Sequence, residues 1–321
     1  MRDPETTVET GDQTEFDNVA VIIPCKDEAA AISKVVEDFR HYLPGCTVYV
    51  YDNNSSDNTA EVAQAAGAVI GQERRPGKGN VVRRMFSEVE AEIYVMVDGD
   101  DTYDASQAPQ LVALLKDDGA DMVVAARLGA TEKHERRGHA FGNRMFNILY
   151  SSLLGREFSD IFSGYRAFTR RFVKSFPALS TGFEIETELS AHASQLRLPV
   201  AEIPFHYKDR AEGSQSKLST LKDGARILKT IIVLIKEYKP LYFFGFFGLM
   251  GILLSLGLFM PVLFEYLETG LIRRMPTAIL CTGITVVSIL SITVGVVLDS
   301  IRRFRAEVKR MFYNSVPGYS D

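Results

Sequence analysis

The chain has 321 residues, an ordinary globular composition and a formal net charge of −5 at pH 7. The charge is unevenly distributed, because residues 1–216 carry −11 and residues 217–321 carry +6. An acidic region of that length argues against nucleic-acid binding, which depends on Lys and Arg contacts to phosphates. The three cysteines have no disulfide or zinc spacing, and they fit a reducing compartment.

Residues 1–16 are acidic and rich in Thr and Asp, and we predict that they are disordered. Predicted strands and helices then alternate as far as residue 125, which favours an α/β fold with a mostly parallel sheet and helices on both faces. The predicted strands are Val19–Ile23, Thr47–Tyr51, Ala68–Ile70, Ile93–Val97 and Met122–Ala125. The predicted helices between them are Glu28–Tyr42, Asp57–Ala66, Gly79–Glu90 and Ser106–Lys116.

Three polar clusters directly follow predicted strands. They are Pro24-Cys-Lys-Asp-Glu28, Asp52-Asn-Asn-Ser-Ser-Asp57 and Asp98-Gly-Asp-Asp101. Ligands of parallel α/β sheets bind at the carboxyl ends of the strands, so we expect these clusters to form one site. Asp98 and Asp100 can point to the same side of a strand end, and two carboxylates suit Mg²⁺ or Mn²⁺. The alternative is an ordinary acidic turn, but the position after a buried strand favours a metal site that neutralises a diphosphate.

Two further turns suggest ligand contacts. A carboxylate at Asp52 can accept hydrogen bonds from a base or ribose, although the residues after it are also typical of a turn and a helix N-cap. The glycine-rich turn Arg75-Pro-Gly-Lys-Gly-Asn80 opens a helix and predicts an anion site to which Lys78 adds charge. It is not a P-loop, because Gln72 stands where the first glycine belongs and neither Ser nor Thr follows the lysine.

The last third of the chain is patterned for a membrane. Residues 217–239 repeat apolar positions in steps of three and four among Lys and Arg, which predicts an amphipathic interfacial helix. Residues 241–264 and 275–298 contain no charged residue. A helix of that length rises about 36 Å, enough to cross the hydrocarbon core of a bilayer, so we predict transmembrane helices at 241–266 and 275–299. The alternative is a pair of core helices.

The distribution of Lys and Arg predicts a topology. Basic residues precede the first span and fill the tail at 300–321, so the positive-inside rule places both flanks in the cytoplasm. The N-terminus has no apolar signal-peptide core, and the domain at 17–216 is therefore expected to be cytoplasmic as well. Gly245, Gly248 and Gly251 favour close helix contact, from which we predict a homo-oligomer.

Five motifs follow one another between residues 17 and 239. They are Val21-Ile-Ile-Pro-Cys-Lys-Asp-Glu28; Val50-Tyr-Asp-Asn-Asn-Ser-Ser-Asp-Asn-Thr59; Pro76-Gly-Lys-Gly79 with Asp98-Gly-Asp100; Asp160-Ile-Phe-Ser-Gly-Tyr-Arg-Ala-Phe168; and Arg210 followed by Gly213 to Ser216 and Lys217-Leu-Ser219. In this order they resemble the family 2 glycosyltransferases, and in particular the polyprenyl-phosphate branch that includes the dolichol-phosphate mannose synthases. Lys26 and Asn53 depart from the family pattern, which commonly has an aromatic residue and a second Asp at these places.

The resemblance implies a GT-A catalytic domain, which is Rossmann-like with a mostly parallel sheet, followed by two transmembrane helices. It also implies site residues. Those for the nucleotide sugar are Pro24, Lys26, Glu28, Asp52, Asn54, Lys78 and Asp98; those for Mg²⁺ or Mn²⁺ are Asp98 and Asp100; those for the acceptor phosphate are Arg127, Arg137, Ser163, Arg210 and Lys217. Of these, Asp98, Asp100, Arg127 and Arg210 are expected to be catalytic.

The implied reaction transfers a sugar, with inversion, from a nucleotide sugar to polyprenyl (undecaprenyl or dolichyl) phosphate at the cytoplasmic membrane face, as a step of glycan biosynthesis. UDP-N-acetylglucosamine or UDP-glucose is the expected donor, with GDP-mannose as a further candidate. A lipid phosphate is mostly a dianion at pH 7 and needs no strong base. Glu184 and Glu186 are each open between a sugar contact, a base and a solvated helix start. For Glu188 we predict the solvated helix start.

Other functions make different demands on the sequence. A processive polysaccharide synthase carries Gln-x-x-Arg-Trp, and this chain contains no Trp. A sugar nucleotidyltransferase needs a Gly-rich, Arg-containing loop after the first strand, where Pro24-Cys-Lys-Asp-Glu28 stands instead. A catalytically silent nucleotide-sugar-binding scaffold and a sugar transferase for another membrane lipid are the alternatives left open.

Overall fold

One mixed sheet organises the first part of the molecule. The computed structural model describes residues 15–128, 158–182, 184–206, 232, 235–236 and 238–318, without the side chains of residues 127, 128 and 206. Among them, the strands lie in the order β3-β2-β1-β4-β6-β5-β7. They are β1 (Val19–Cys25), β2 (Thr47–Asp52), β3 (Val69–Gln72), β4 (Ile93–Met96), β5 (Met122–Leu128), β6 (Arg166–Thr169) and β7 (Val200–His206).

The sheet is mostly parallel, as predicted. β1 pairs in parallel with both β2 and β4, β2 with β3, and β5 with β7. Only β6 among the described strands runs antiparallel, between β4 and β5. The carboxyl ends of β1, β2 and β4 therefore meet at one edge of the sheet, where the three polar clusters were predicted to lie.

Helices cover both faces of this sheet. Those described before the apolar segments are α1 (Ile32–Tyr42), α2 (Thr59–Ala65), α3 (Lys78–Glu88), α4 (Ala108–Lys116), α5 (Arg170–Ser175) and α6 (Ile185–Leu196). The alternation of side chains along the strands divides the core in two. Phe39 of α1 packs against Tyr165 on one face, with ring centroids 5.9 Å apart, and Phe86 of α3 packs against Phe168 on the other, also at 5.9 Å.

α1 begins four residues later than predicted, because its expected first turn is used to join two loops. Asp27 has a left-handed backbone with a φ of 56°. Its N–H donates to Ser55 Oγ at 2.9 Å, and its carboxylate accepts from the N–H of Ser56 at 2.6 Å. The N–H of Glu28 donates to Thr59 Oγ1 at 2.9 Å. These bonds bring the β1–α1 and β2–α2 loops together beside the strand ends.

Two long apolar helices form a separate unit with the residues around them. They are α7 (Pro240–Thr269) and α8 (Met275–Ser315), and both are long and apolar enough to cross a membrane. Only 17% of the most apolar stretch of each is buried, whereas a soluble core helix would be mostly buried. Gly248 and Gly251 of α7 pack closely against Ile292 and Ser288 of α8, but a Cβ on Gly245 would meet nothing within 4 Å. The predicted homo-oligomer stays a prediction.

The C-terminal end of α8 belongs to the same unit as the sheet. Tyr313 donates its hydroxyl to Asp121 at 2.8 Å, just before β5. The guanidinium groups of Arg171 and Arg310 lie over the Tyr313 ring, at 4.6 and 5.3 Å from its centroid. The predicted tail from residue 300 is thus helical as far as Ser315. Most of the predicted interfacial helix at 217–239, and Arg137, Arg210 and Lys217, lie outside the described residues.

Candidate active site

The end of β2 is fixed to the loop that leads into α3. The amide of Asn53 donates to the carbonyls of Glu73 and Arg75, both at 2.8 Å, and its oxygen accepts from the N–H of Gly77 at 2.7 Å. An aspartate could not donate those two bonds, which explains the departure from the family pattern at this position. Asn53 therefore positions the loop that carries Lys78.

The residues predicted to contact the nucleotide lie around the same strand ends. Pro24 and Asp52 are buried there and Lys26 is exposed. Asp52 accepts from the N–H of Ser55 at 3.2 Å, so it closes a turn, as the alternative interpretation expected. Asn54 has a φ of 60° and donates to the carbonyl of Arg74 at 2.8 Å. Their contacts with a nucleotide stay predictions.

The turn after β4 presents Asp98 and Asp100. The Asp98 side chain is 30% exposed, and Asp100 accepts from Thr102 Oγ1 at 2.5 Å. Gly99 between them lies close to two side chains, because a Cβ there would come within 2.2 Å of Glu28 Oε2 and 2.6 Å of Cys25 Sγ unless they moved. The turn after β4 therefore packs against the end of β1 and the β1–α1 loop.

Lys78, at the start of α3, lies between two carboxylates. Its ammonium forms an ion pair with Asp98 and another with Glu186 Oε1 at 2.6 Å. Burial by itself lowers the pKa of Lys78, but the two carboxylates outweigh burial, so this pKa is raised and the ammonium stays charged. A buried positive charge thus stands at the carboxyl end of β4.

The glycines beside Lys78 pack closely against the backbone of residues 180 and 181. A Cβ on Gly77 would lie 2.1 Å from the carbonyl oxygen of Thr181, and one on Gly79 would lie 2.3 Å from that of Ser180. The N–H of Gly77 is already bonded to Asn53. The Gly77 N–H is therefore not free to bind an anion, and the predicted anion site at this turn stays a prediction.

Glu28 adds a buried carboxyl group behind the Asp98 turn. Burial raises the pKa of Glu28 to about 7; the Asp98 and Asp100 carboxylates add to this rise, whereas the Cys25 thiol and the Lys78 ammonium oppose it. Its Oε2 atom is buried and has no hydrogen-bond partner in the described part of the chain. Such an atom is costly unless a ligand supplies a donor or a positive charge.

The carboxylates around this turn fit a divalent cation that arrives with its own oxygen ligands. Asp98, Asp100 and Glu28 supply hard oxygen donors, which Mg²⁺ and Mn²⁺ prefer. Across the ranges that the structure describes, no three acidic, His or Cys side chains converge into a closed metal site. A metal site at Asp98 and Asp100 that is completed by diphosphate oxygens stays a prediction.

The loop before α6 is held against α3 by charged groups. Arg83 donates to the carbonyls of Leu179 at 3.0 Å and Ser180 at 3.1 Å. The Glu188 carboxylate accepts from the N–H groups of the same two residues, at 2.9 and 2.8 Å. Glu188 thus lies in the first turn of α6, as predicted, and its half-exposed carboxylate also binds this loop. Glu184 is exposed, and of the two open glutamates Glu186 is the one that faces Lys78.

The Asp160–Phe168 motif braces the site from below. Ser163 is fully buried and donates its hydroxyl to the carbonyl of Ala125 at 2.6 Å, so the prediction that its side chain meets the acceptor phosphate is wrong. Arg166 is also fully buried and donates to the carbonyls of Ser163 and Ile161 at 2.8 and 2.6 Å. A Cβ on Gly164 would lie 2.5 Å from Asp98 Oδ2. The motif thus packs against the Asp98 side chain. The backbone of Arg127, in β5, pairs with that of Phe205 in β7. The Arg127 side chain lies outside the described part of the structure.

Comparison with known proteins identifies the family of this chain. Residues 20–176 match the family described as Glycosyl transferase family 2. The glycosyltransferase AglJ of Haloferax volcanii is 31% identical over 302 residues, which cover 92% of this chain and 97% of AglJ. The chain belongs to glycosyltransferase family 2. A second Haloferax volcanii protein, named dolichyl-phosphate hexose transferase, is 29% identical to the present chain over 223 residues. The match covers 69% of the present chain and 96% of that protein.

A solved structure supports the same fold. The glucosyl-3-phosphoglycerate synthase of Mycobacterium tuberculosis, in complex with phosphoglyceric acid, superposes with a TM-score of 0.55 at 23% identity. The match covers 68% of this chain and 79% of that one. The predicted GT-A-like fold is therefore confirmed, and the polar edge described above is the candidate active site.

Proposed function

We propose that this glycosyltransferase moves a sugar from a nucleotide sugar to a polyprenyl phosphate at the cytoplasmic face of a membrane, with inversion at the anomeric carbon. One observation carries the proposal: the Lys78 ammonium pairs with Asp98 at the carboxyl end of β4, on a chain that also has two exposed apolar helices. One relative supports the acceptor class, since it is named a dolichyl-phosphate hexose transferase.

On the donor side, Asp98 and Asp100 would hold Mg²⁺ or Mn²⁺ against the diphosphate. When bound, the ion would neutralise the negative charge that develops on the leaving nucleoside diphosphate. A solved structure of the mycobacterial synthase contains Mn²⁺ with UDP-glucose, at a TM-score of 0.53 and 21% identity. UDP-N-acetylglucosamine and UDP-glucose are the donors we propose first, and GDP-mannose follows them. Pro24, Lys26, Glu28, Asp52 and Asn54 would contact the nucleotide.

On the acceptor side, the lipid phosphate is its own nucleophile. With a second pKa near ~6 it is mostly a dianion at pH 7, so one of its oxygens can attack the anomeric carbon without a strong base. The new bond joins that oxygen to the anomeric carbon, and the bond from that carbon to the diphosphate oxygen breaks from the opposite side. The enzyme mainly has to hold two anions together. Arg127, Arg137, Arg210 and Lys217 would hold the acceptor phosphate, because guanidinium forks and ammonium groups bind phosphate strongly.

The apolar helices would keep the enzyme beside its lipid. α7 and α8 would span the bilayer, and the basic residues that flank them would place both termini and the catalytic domain in the cytoplasm. The polyprenyl chain would then lie in the same bilayer as the helices. The acceptor phosphate would meet the enzyme at the headgroup level.

The test is a transfer assay in membranes that contain the full chain. The membranes receive polyprenyl phosphate and, one at a time, radiolabelled UDP-N-acetylglucosamine, UDP-glucose and GDP-mannose, with and without a chelator. We expect one donor to label a lipid only when polyprenyl phosphate is present, and the chelator to abolish the labelling. Label in a lipid that forms without added polyprenyl phosphate would contradict the acceptor, and labelling that survives the chelator would contradict the metal.

A further inference from the structure

Glu186 is a buried carboxylate that has one clear electrostatic partner, the Lys78 ammonium. It lies in the first turn of α6, and its side chain is 5% exposed. Its Oε1 atom is 2.6 Å from Lys78 Nζ. The Lys78 side chain, which is 9% exposed, also pairs with Asp98, so one cation is shared between two carboxylates.

The spacing within this trio is fixed by contacts outside it. Gly77 and Gly79 flank Lys78 and lie against the backbone of Thr181 and Ser180. Arg83 binds the carbonyls of the same loop, as described above. Because this loop leads into α6, these contacts hold the start of α3, which carries Lys78, beside the start of α6, which carries Glu186.

Sharing the ammonium changes what Asp98 can do. If Lys78 paired with Asp98 alone, one positive and one negative charge would cancel, and Asp98 would attract a further cation weakly. With Glu186 present, the trio carries a net charge of −1, so Asp98 keeps negative potential for a divalent ion.

We propose that Glu186 is a positioning residue, which shares the Lys78 ammonium so that Asp98 can bind a divalent cation together with a nucleoside diphosphate. This inference rests on the proposed function, because it takes Asp98 as a metal ligand. It assigns Glu186 to the donor half of the reaction, on the evidence of a residue 108 positions away from Lys78 in the sequence.

The first test measures metal binding without any acceptor lipid. Purified full chain in detergent is titrated with Mn²⁺ in the presence of UDP, and free Mn²⁺ is read by electron paramagnetic resonance. Glu186→Gln keeps the shape of the side chain but removes its charge, and we expect it to weaken Mn²⁺ binding on the order of tenfold. The matched control is Glu184→Gln, which changes an exposed glutamate two residues earlier and should leave the affinity unchanged.

The second test asks whether Glu186 acts through Lys78. In a Lys78→Met background the ammonium is gone, so Glu186→Gln should weaken Mn²⁺ binding far less than in the wild-type background. In the transfer assay, Glu186→Gln should raise the Mn²⁺ concentration for half-maximal rate while kcat at saturating Mn²⁺ falls much less. Glu186→Asp should restore part of the Mn²⁺ affinity.

The outcomes separate this inference from the proposed function. Equal Mn²⁺ affinity in the wild type and in Glu186→Gln would overturn the positioning role, as would a variant that only melts at a lower temperature without weaker binding. An equal loss in both Lys78 backgrounds would also overturn it. A wild-type chain that binds no Mn²⁺ with UDP would instead contradict the metal site of the proposed function.

Discussion

The carboxylates at the two ends of the sheet have different partners. Before β5, Asp121 accepts from the hydroxyls of Thr169 at 2.9 Å and Tyr313 at 2.8 Å, so two neutral donors complete its bonding. After β4, Asp98 faces a lysine that it shares with Glu186, and nearby Glu28 Oε2 has no partner among the described residues. Buried polar groups are normally satisfied, so an unfinished arrangement marks a place where a ligand belongs. We infer that the end with Asp121 stabilises the fold, whereas the end with Asp98 binds a ligand.

The largest expected effect comes from removing charge at the unfinished end. Asp98→Asn and Asp100→Asn should each lower the transfer rate about a hundredfold to a thousandfold, as expected for the loss of a group that stabilises developing charge. The melting temperature should change little, because both side chains are partly exposed. Asp118→Asn, which alters an exposed acid in the turn after α4, is the control and should keep its rate. A variant of Asp98 with full activity would contradict the contrast between the two ends.

The next largest effect concerns the support of the Lys78 loop. Asn53→Asp loses two hydrogen bonds to backbone carbonyls and brings a carboxylate close to both oxygens. We expect it to lower the free energy of unfolding by about 2–3 kcal/mol and to raise KM for the nucleotide sugar. Thermal unfolding and donor titration measure the two effects. Asn58→Asp, at an exposed helix start without a side-chain cap bond, should be nearly neutral, and equal effects of the two changes would refute the bracing role.

A pH effect is expected from His192, which lies in the core away from the polar edge. Its ring packs between Phe172 and Phe176 and bonds Ser175 Oγ at 3.1 Å. Burial, with a smaller effect from Lys309, lowers the pKa of His192 to about 3. The unfolded chain therefore binds a proton below about pH 6.5 that the folded chain does not bind until about pH 3.

Stability should consequently fall as the pH drops through that window. The His192 contribution is a loss of about 1.4 kcal/mol per pH unit well below pH 6.5, and none above it. His192→Gln keeps a polar group for Ser175 but cannot titrate, so its melting temperature should depend less on pH between 6.5 and 4. If the melting temperatures of the wild type and His192→Gln depended on pH in the same way across this range, folded His192 would be shown to be charged.

The smallest effect tests the satisfied end. Tyr313→Phe removes only the hydroxyl bound to Asp121 and keeps the ring between Arg171 and Arg310. We expect a loss of about 1 kcal/mol in the free energy of unfolding and an unchanged dependence of the rate on Mn²⁺. Tyr242→Phe, on a side chain that is 75% exposed, is the matched control. A changed Mn²⁺ dependence in Tyr313→Phe would remove the distinction between the two ends.

The sequence predicted those parts of the fold that depend on local pattern. The buried runs of β1 and β4 are apolar and largely β-branched, and their positions were predicted to within two residues. β6 escaped prediction because Arg166–Thr169 is only four residues long and includes a buried arginine. The start of α1 was placed too early because the bonds from Asp27 and Glu28 to residues 55–59 are set by tertiary structure.

The candidate site was predictable where a motif carried it, as at Asp98 and Asp100. The pairing of Lys78 with Glu186 and the contacts of Arg83 with residues 178–180 join positions about a hundred residues apart, so no local spacing could reveal them. Ser163 shows the opposite limit, because family resemblance identified an important residue but not its role. Its hydroxyl supports the backbone below Asp98 and is closed off from any substrate.

The central claim is that Lys78 and the carboxylates at the end of β4 bind a nucleotide sugar, and that a lipid phosphate attacks its anomeric carbon. Its most direct test is the structure of the lipid product, made by the purified full chain in vesicles containing polyprenyl phosphate. The mass should equal that of the lipid phosphate plus one residue of the transferred sugar, and nuclear magnetic resonance should show an anomeric configuration opposite to that of the donor. Retained configuration, or a sugar attached to a lipid without a phosphate, would contradict the claim.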